Sequence, residues 1–239
     1  MSAAPQSTLP GRMLNRATPA PCELSPIDQI GLDLFHSAIG LPVDHCARAQ
    51  MKLRPSSFVE ICILAGGLSR RMGRDKSRLR LGRRTMLGHI RGEARELGLP
   101  VRVIRRDAVP RCGPLGGVYT ALKTTRADAV MFLACDMPFV TAALLRAMHR
   151  RFGEGNKYLF VRSEDTVGLP FLLRRDALAT VTTQIESGRF SLHELARALK
   201  AKTFCPPASQ RAELRNVNTP GEWARTVRLW NNEPRTRDA

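Results

Sequence analysis

From residue 58 the chain alternates short apolar runs with stretches in which apolar residues recur every three or four positions. That alternation is the pattern of a mostly parallel sheet covered by helices. FVEICILA (58–65) reads as a first strand that ends in glycines. A helix is expected from about Thr85, because Met86, Leu87, Ile90, Ala94 and Leu97 share one face. PVRVIR (100–105) reads as a second strand, and AVMFLAC (129–135) as a third whose unbroken apolar character suits a central position buried on both faces. Thr141 then caps a helix with Leu144, Leu145, Met148 and Phe152 on its stripe.

Two later helices are announced by capping boxes. Ser191-Leu192-His193-Glu194 opens one, with Leu195 and Leu199 behind it. Thr219-Pro220-Gly221-Glu222 opens the last, with Trp223, Val227 and Trp230 at helical spacing, a stripe read most simply as core. Between the third strand's helix and these boxes, NKYLFVR and VGLPFLLR read as a strand pair, or a strand and a β-arm, joined by Ser163-Glu164-Asp165. The expected fold class is α/β, a Rossmann-like three-layer sandwich with a mostly parallel sheet.

The first fifty residues differ in kind. They open with MSAAPQSTLPGRMLNRATPAPCELSP, rich in Ala, Pro and Ser, which reads as a largely disordered N-terminal extension over 1–50. IDQIGLDLFHSAIGLP could add one short amphipathic helix, and Met51 is a second candidate start, since everything the domain over 51–239 requires lies after it. With 43% hydrophobic residues in 239, the chain can bury a sizeable core. It has no apolar run of about 18 residues and no leader-like start, so a cytoplasmic protein without membrane contact is expected. Its six cysteines show neither C-x-x-C pairing nor zinc-ligand spacing, and read as reduced thiols, mostly in the core.

Charge changes the picture less than its size suggests. The net charge is +17, and residues 1–50 carry three Arg against four acids, so the excess lies entirely in residues 51–239. Of the 38 cations 32 are Arg, spread along the chain, with aromatic residues at only 5%. Nucleic acid is therefore not the expected partner, for want of base-stacking side chains. A small anionic substrate satisfies the same charge.

Three motifs carry candidate chemistry. LAGGLSRRMGRDK (64–76) leaves the carboxyl end of the first strand, where open α/β sheets bind ligands. Gly66 and Gly67 allow close backbone approach, and Arg70, Arg71, Arg74 and Lys76 supply charge for phosphate oxygens. The spacing matches neither the P-loop nor the dinucleotide fingerprint, and a glycine turn with a solvated basic face remains the alternative. Asp136 directly follows the buried third strand and precedes Met137-Pro138, so its carboxylate emerges at the same sheet edge. There it suits Mg²⁺ shared with substrate phosphates, the alternative being an acid at a helix N-terminus. CGPLGGVYTAL (112–122) turns at Gly113-Pro114, and Gly116-Gly117 permits another close approach at a helix start.

Taken together, these motifs resemble the molybdenum cofactor guanylyltransferase (MobA-like) family of nucleotidyltransferases, in the nucleotide-diphospho-sugar transferase type of fold. LAGGLSRRMGRDK is close to the family's L-A-G-G-x-S-x-R-M-G-x-D-K, GPLGG to its glycine turn, CDMPF to its acid-x-Pro segment and NVNTP (216–220) to its N-x-N-T-P. The resemblance spans about residues 58–230 and makes 51–239 a MobA-like NTP transferase domain. It implies transfer of GMP from GTP to the terminal phosphate of molybdenum-molybdopterin, with Mg²⁺ as cofactor and pyrophosphate released. Leu64, Ala65, Gly66, Gly67, Lys76, Asp107 and Asp136 would then contact GTP, with Asp136 also holding the metal. Asp136, Lys76 and Arg71 would carry catalysis, Gly67, Arg71 and Gly73 would shape the loop, and Asn216, Asn218 and Arg189 would line the acceptor side. It also implies a monomer or weak oligomer in transient contact with molybdopterin-synthesis proteins or molybdoenzyme chaperones.

The chain departs from the family in one place. Between the first helix and the glycine turn the family has two strands, the earlier ending in a nucleotide-binding Asn. Here ELGLPVRVIRRDAVPRCGPLGG leaves room for one, and no Asn occurs between Asn15 and Asn156. Asp107 or a backbone group then has to substitute. A divergent transferase using CTP or another phosphorylated acceptor, and a non-catalytic GTP-binding accessory protein, are the competing readings.

Overall fold

The computed structural model describes residues 58–66, 75–163 and 166–232. The expected N-terminal extension, and the loop residues Gly67, Arg70, Arg71, Gly73 and Arg74, lie outside the described residues.

One six-stranded sheet organises the domain, in the order β4-β1-β5-β7-β6-β8. β1 is Val59–Leu64, β4 Val101–Ile104, β5 Ala129–Ala134, β6 Tyr158–Ser163, β7 Thr166–Arg174 and β8 Lys202–Phe204. β1 pairs in parallel with β4 and with β5, and β6 pairs in parallel with β8. β7 runs antiparallel to both β5 and β6, so the sheet is mixed. β2 (Arg80–Leu81) and β3 (Arg84–Thr85) form a separate short hairpin.

Alternation along the strands assigns the two faces. Ile61, Ile63, Met131 and Leu133 point to one, where they meet α1 (Met86–Arg95) and α3 (Ala142–Gly153). Cys62, Leu64, Val130 and Phe132 point to the other, against α2 (Pro114–Thr124), α4 (Leu178–Glu186) and α5 (Leu192–Ala198). β5 is buried through its first five residues, as its apolar run requires of a central strand. Phe171 stacks on Phe160 at 4.5 Å and lies 4.9 Å from Phe132, all three fully buried across neighbouring strands. Each such ring contributes about 1.5–3 kcal/mol by burial alone.

Helix starts follow the capping chemistry of the sequence. Thr85 Oγ1 accepts the Gly88 amide at 3.0 Å, Thr141 Oγ1 the Leu144 amide at 3.3 Å and Ser191 Oγ the Glu194 amide at 3.4 Å. α1 ends at Arg95, so Leu97 packs on the core from the following turn rather than from the helix. α6 (Pro220–Asn232) corrects the expected Trp core. Trp223 and Trp230 are only half-buried, and Thr226 alone is fully covered. The reason is that Trp230 packs at the margin, edge-on to His89 at 4.5 Å and 6.1 Å from Phe139. Cysteine burial is also uneven: Cys62 and Cys112 are buried, Cys135 is half-buried and Cys205 is exposed.

A single strand, β4, connects α1 to α2, as the short spacing predicts. No helix among the described residues is long and apolar enough to cross a membrane.

Candidate active site

Register places three chain segments at one edge of the sheet. Leu64, the last residue of β1, pairs with Ile104 on one side and Ala134 on the other. The pairing continues past the strands, since Ala65 donates to Ile104 O at 2.8 Å and Cys135 donates to Leu64 O at 3.2 Å. Gly66, Asp107 and Asp136 therefore leave the sheet side by side.

Glycine allows a close approach where these segments meet α2. A Cβ on Gly66 would lie 3.2 Å from Asp107 Oδ1 and 3.3 Å from Arg105 O. On Gly116 it would lie 2.8 Å from Val109 O and 3.0 Å from Asp107 Oδ2, and on Gly117 it would lie 2.8 Å from Leu64 Cδ2. The Asp107 carboxylate is thus wedged between the end of β1 and the first turn of α2. Burial raises its pKa above the ordinary value of 3.8. Gly113, just before that helix, has φ +55°, which a side chain would strain. Thr120 Oγ1 fastens the connecting loop by accepting the Ala108 amide at 2.8 Å while donating to Gly116 O at 2.7 Å.

The second half of the site comes from distant sequence. Asp75 opens a 3₁₀ turn over Lys76–Arg78, accepting the Ser77 amide at 3.0 Å and the Ser77 hydroxyl at 2.7 Å. These bonds hold Asp75 below its usual pKa and start the turn that carries Lys76 inward. Lys76 Nζ donates to Asn218 Oδ1 at 2.6 Å and lies 3.6 Å from Asp136 Oδ2. The side chains of Lys76 and Asp136 are only 14% and 21% exposed, so solvent screens the pair weakly. Burial raises the Asp136 pKa even though Lys76 opposes the shift. Burial also pushes the neighbouring Cys135 thiol up to about 12, so it is protonated and has no thiolate role.

Asn218 reaches this place through a sequence of backbone anchors. Glu213, in the 3₁₀ turn Ala208–Leu214, accepts the Thr141 amide at 3.0 Å and the Thr141 hydroxyl at 2.6 Å. Val217 is fully buried and donates its amide to Asp136 O at 2.9 Å. Glu222 Oε2 then accepts the amides of Asn218 at 2.6 Å and Thr219 at 3.0 Å, while the Glu222 amide donates to Thr219 Oγ1 at 3.2 Å. Those bonds keep Glu222 ionised, with its pKa lowered.

Of the residues singled out from sequence, Leu64, Ala65, Gly66, Asp107 and Asp136 meet at this edge, and Lys76 and Asn218 close on Asp136. Asn216 is exposed beside the buried Val217. Arg189 is exposed in the turn after α4, its amide donating to Gln184 O at 3.0 Å, and the structure does not bring it to Asp136. Sequence reasoning assigned no site role to Asp75 or Glu222. The capping-box spacing marked Glu222 as a helix start, but its bond to Asn218 depends on the fold.

No three His, Cys, Asp or Glu side chains converge as a metal cluster among the described residues. Asp136 offers a hard oxygen beside Lys76, a donor set that suits Mg²⁺ only when substrate phosphates complete its coordination.

Comparison with known proteins places these features in a family. The pattern of the MobA-like NTP transferase domain matches residues 61–202. The chain is 32% identical over 180 residues to a molybdenum cofactor guanylyltransferase of Xanthomonas euvesicatoria, covering 69% of this chain and 92% of that one. It is likewise 32% identical over 180 residues to a probable molybdenum cofactor guanylyltransferase of Opitutus terrae, covering 66% and 89%. Among solved structures, the molybdopterin-guanine dinucleotide biosynthesis protein A of Archaeoglobus fulgidus superposes with a TM-score of 0.57 at 17% identity, over 73% of this chain and 100% of that one. A 2-C-methyl-D-erythritol 4-phosphate cytidylyltransferase of Thermus thermophilus gives 0.55 at 15%, over 72% and 98%. The structural likeness establishes the nucleotidyltransferase fold, and it does not discriminate between nucleotides.

Proposed function

The chain belongs to the MobA-like NTP transferase family, and on that premise we propose that it transfers GMP from GTP to the terminal phosphate of molybdenum-molybdopterin. A phosphate oxygen of the acceptor forms a bond to the α-phosphorus of GTP as the α–β bridging P–O bond breaks, and pyrophosphate leaves. The observation that carries this reading is the convergence of Lys76, Asn218 and Asp136 beside the glycine-bounded end of β1.

Each residue has a task suited to its position. Lys76, held between Asn218 and Asp136, presents its ammonium to phosphate oxygens and balances the charge that gathers there in the transition state. The backbone at Leu64, Ala65 and Gly66 supports the nucleotide, and Gly66 lets it approach over Asp107. The Asp107 carboxylate is an acceptor for N–H groups of the base, the task left open by the absent strand and Asn. Asp136 would hold Mg²⁺, which when bound neutralises and aligns the phosphates. No general base is invoked, because the attacking phosphate is already ionised. Asn218 and Asn216 would face the acceptor, and Arg71 would add charge from the loop.

Use of CTP, or of another phosphorylated acceptor, is the alternative. The test is pyrophosphate release by the purified protein with Mg²⁺ and molybdenum-loaded molybdopterin, offering GTP, CTP, ATP and UTP separately. Release with GTP alone is expected. Release with another nucleotide, or with none, overturns the assignment.

A further inference from the structure

Lys76 donates to a side chain whose own backbone is held by a single carboxylate. Glu222 Oε2 accepts the amides of both Asn218 and Thr219, at 2.6 and 3.0 Å. Asn218 Oδ1 in turn accepts Lys76 Nζ at 2.6 Å. The carboxylate therefore lies one residue removed from the phosphate-binding cation and is linked to it through Asn218.

We propose that Glu222 is a positioning residue for nucleotide binding, fixing the Asn218 carboxamide so that Lys76 is aimed at the triphosphate. This rests on the reading of Lys76 as the phosphate-binding cation. Three features support it. First, Lys76 begins a 3₁₀ turn of only three residues, and its four-carbon stem has many rotamers, so a fixed acceptor at its tip restricts it. Second, Asp136 Oδ2 at 3.6 Å attracts Lys76 from beyond hydrogen-bond distance, whereas Asn218 Oδ1 at 2.6 Å makes a short directional bond to it. Third, a capping-box glutamate accepts the N-cap amide, here that of Thr219, whereas Glu222 makes a shorter bond one residue further out, to Asn218. The carboxylate thus orders a site residue as well as the helix entrance.

The placing of the carboxylate also serves charge. Its negative charge disfavours ionisation of Asp136. The amides of Asn218 and Thr219 both donate to Glu222 Oε2, and these charge-assisted bonds hold the carboxylate on the Asn218 backbone.

The test is a double-mutant cycle on GTP affinity, measured by equilibrium dialysis in the absence of acceptor, with Glu222→Ala, Asn218→Ala and the double variant. Glu222→Ala is expected to weaken GTP binding by about 10-fold, the lower end of the cost of losing an outer-shell partner at a metal site. In the Asn218→Ala background the same change is expected to alter affinity by less than about 2-fold, since its effect passes through Asn218. Glu222→Gln keeps a carbonyl oxygen for the two amides and is expected to restore affinity to within about 3-fold of the wild type. Thermal stability is recorded alongside: a role confined to capping α6 lowers the melting temperature in both backgrounds and leaves affinity alone. Equal losses of affinity in the two backgrounds, or none in either, overturn the positioning role while a wild type that binds GTP upholds the reading of the site. A wild type that binds no GTP overturns both.

Discussion

Lys76 Nζ and Asn218 Oδ1 meet at 2.6 Å although 142 positions separate them in the chain. The bond joins the turn after the glycine loop to the segment that precedes the last helix, and it closes the site over Asp136. An ammonium carries three donors, so its bond to Asn218 is compatible with a second bond to a phosphate oxygen. Lys76→Ala is therefore expected to lower the rate of pyrophosphate release by about 10²- to 10³-fold, the scale seen when one preorganised donor to a developing charge is lost. Steady-state assay with saturating GTP checks it, and a rate near wild type would remove Lys76 from the machinery.

Asp136 follows a strand that the core holds rigidly, so changing its side chain leaves the fold alone. Asp136→Ala is expected to abolish Mg²⁺-dependent turnover, while circular dichroism and the melting temperature stay close to wild type. The fold is robust here because the main-chain bond from Val217 to Asp136 O does not involve the side chain. Turnover at near wild-type rate would refute the placement of the metal.

Asp107 gives a prediction with a definite pH sign. Burial raises its pKa above 3.8, which means the folded chain holds that proton more tightly than the unfolded chain does. Its contribution is neutral below 3.8, turns against folding as pH rises from 3.8 toward the raised value, and stays at its full unfavourable size above that value. Asp107→Asn is thus expected to unfold at higher denaturant concentration than wild type at pH 7, with the difference shrinking toward pH 4. The same variant is expected to bind GTP more weakly, because an amide offers one acceptor oxygen where the carboxylate offers two. A variant less stable than wild type at pH 7 would contradict the desolvated carboxylate.

Much of this architecture was legible in the sequence, and the parts that were not share a physical cause. β5 was readable because a strand covered on both faces cannot carry polar residues, and α3 because its stripe and its Thr141 cap agree. α4 was missed: LATVTTQIE is rich in Thr and β-branched residues, whose helix propensity is poor, so packing against α2 and the sheet has to make it helical. The hairpin of β2 and β3 has two residues per strand, too few to show any period. Trp223 and Trp230 sit at the correct helical spacing, but spacing gives the face of a helix and not how deeply the helix is seated. The candidate residues were visible as motifs, yet the pairing of Lys76 with Asn218 depends on how the ends of β1 and β5 come together.

The glycine turn separates two kinds of crowding that sequence does not distinguish. An alanine at Gly116 would bring its Cβ to 2.8 Å from a backbone carbonyl, Val109 O, with Asp107 on the other side at 3.0 Å. An alanine at Gly117 would meet Leu64 Cδ2 at 2.8 Å, the end of a side chain that can change rotamer. Both positions lie in a helix, where alanine gains about 1 kcal/mol in propensity over glycine. At Gly116 the carbonyl cannot move without shifting the loop that carries Asp107, so Gly116→Ala is expected to lose about 1–3 kcal/mol of stability net of that gain. At Gly117 the two effects nearly cancel, and Gly117→Ala is expected to stay within about 1 kcal/mol of wild type. Urea titration of the two variants checks the order. Gly116→Ala should also weaken GTP binding, because displacing the Val109 loop displaces Asp107 with it, and a Gly116→Ala protein as stable as Gly117→Ala with unaltered GTP affinity would show that the loop yields freely.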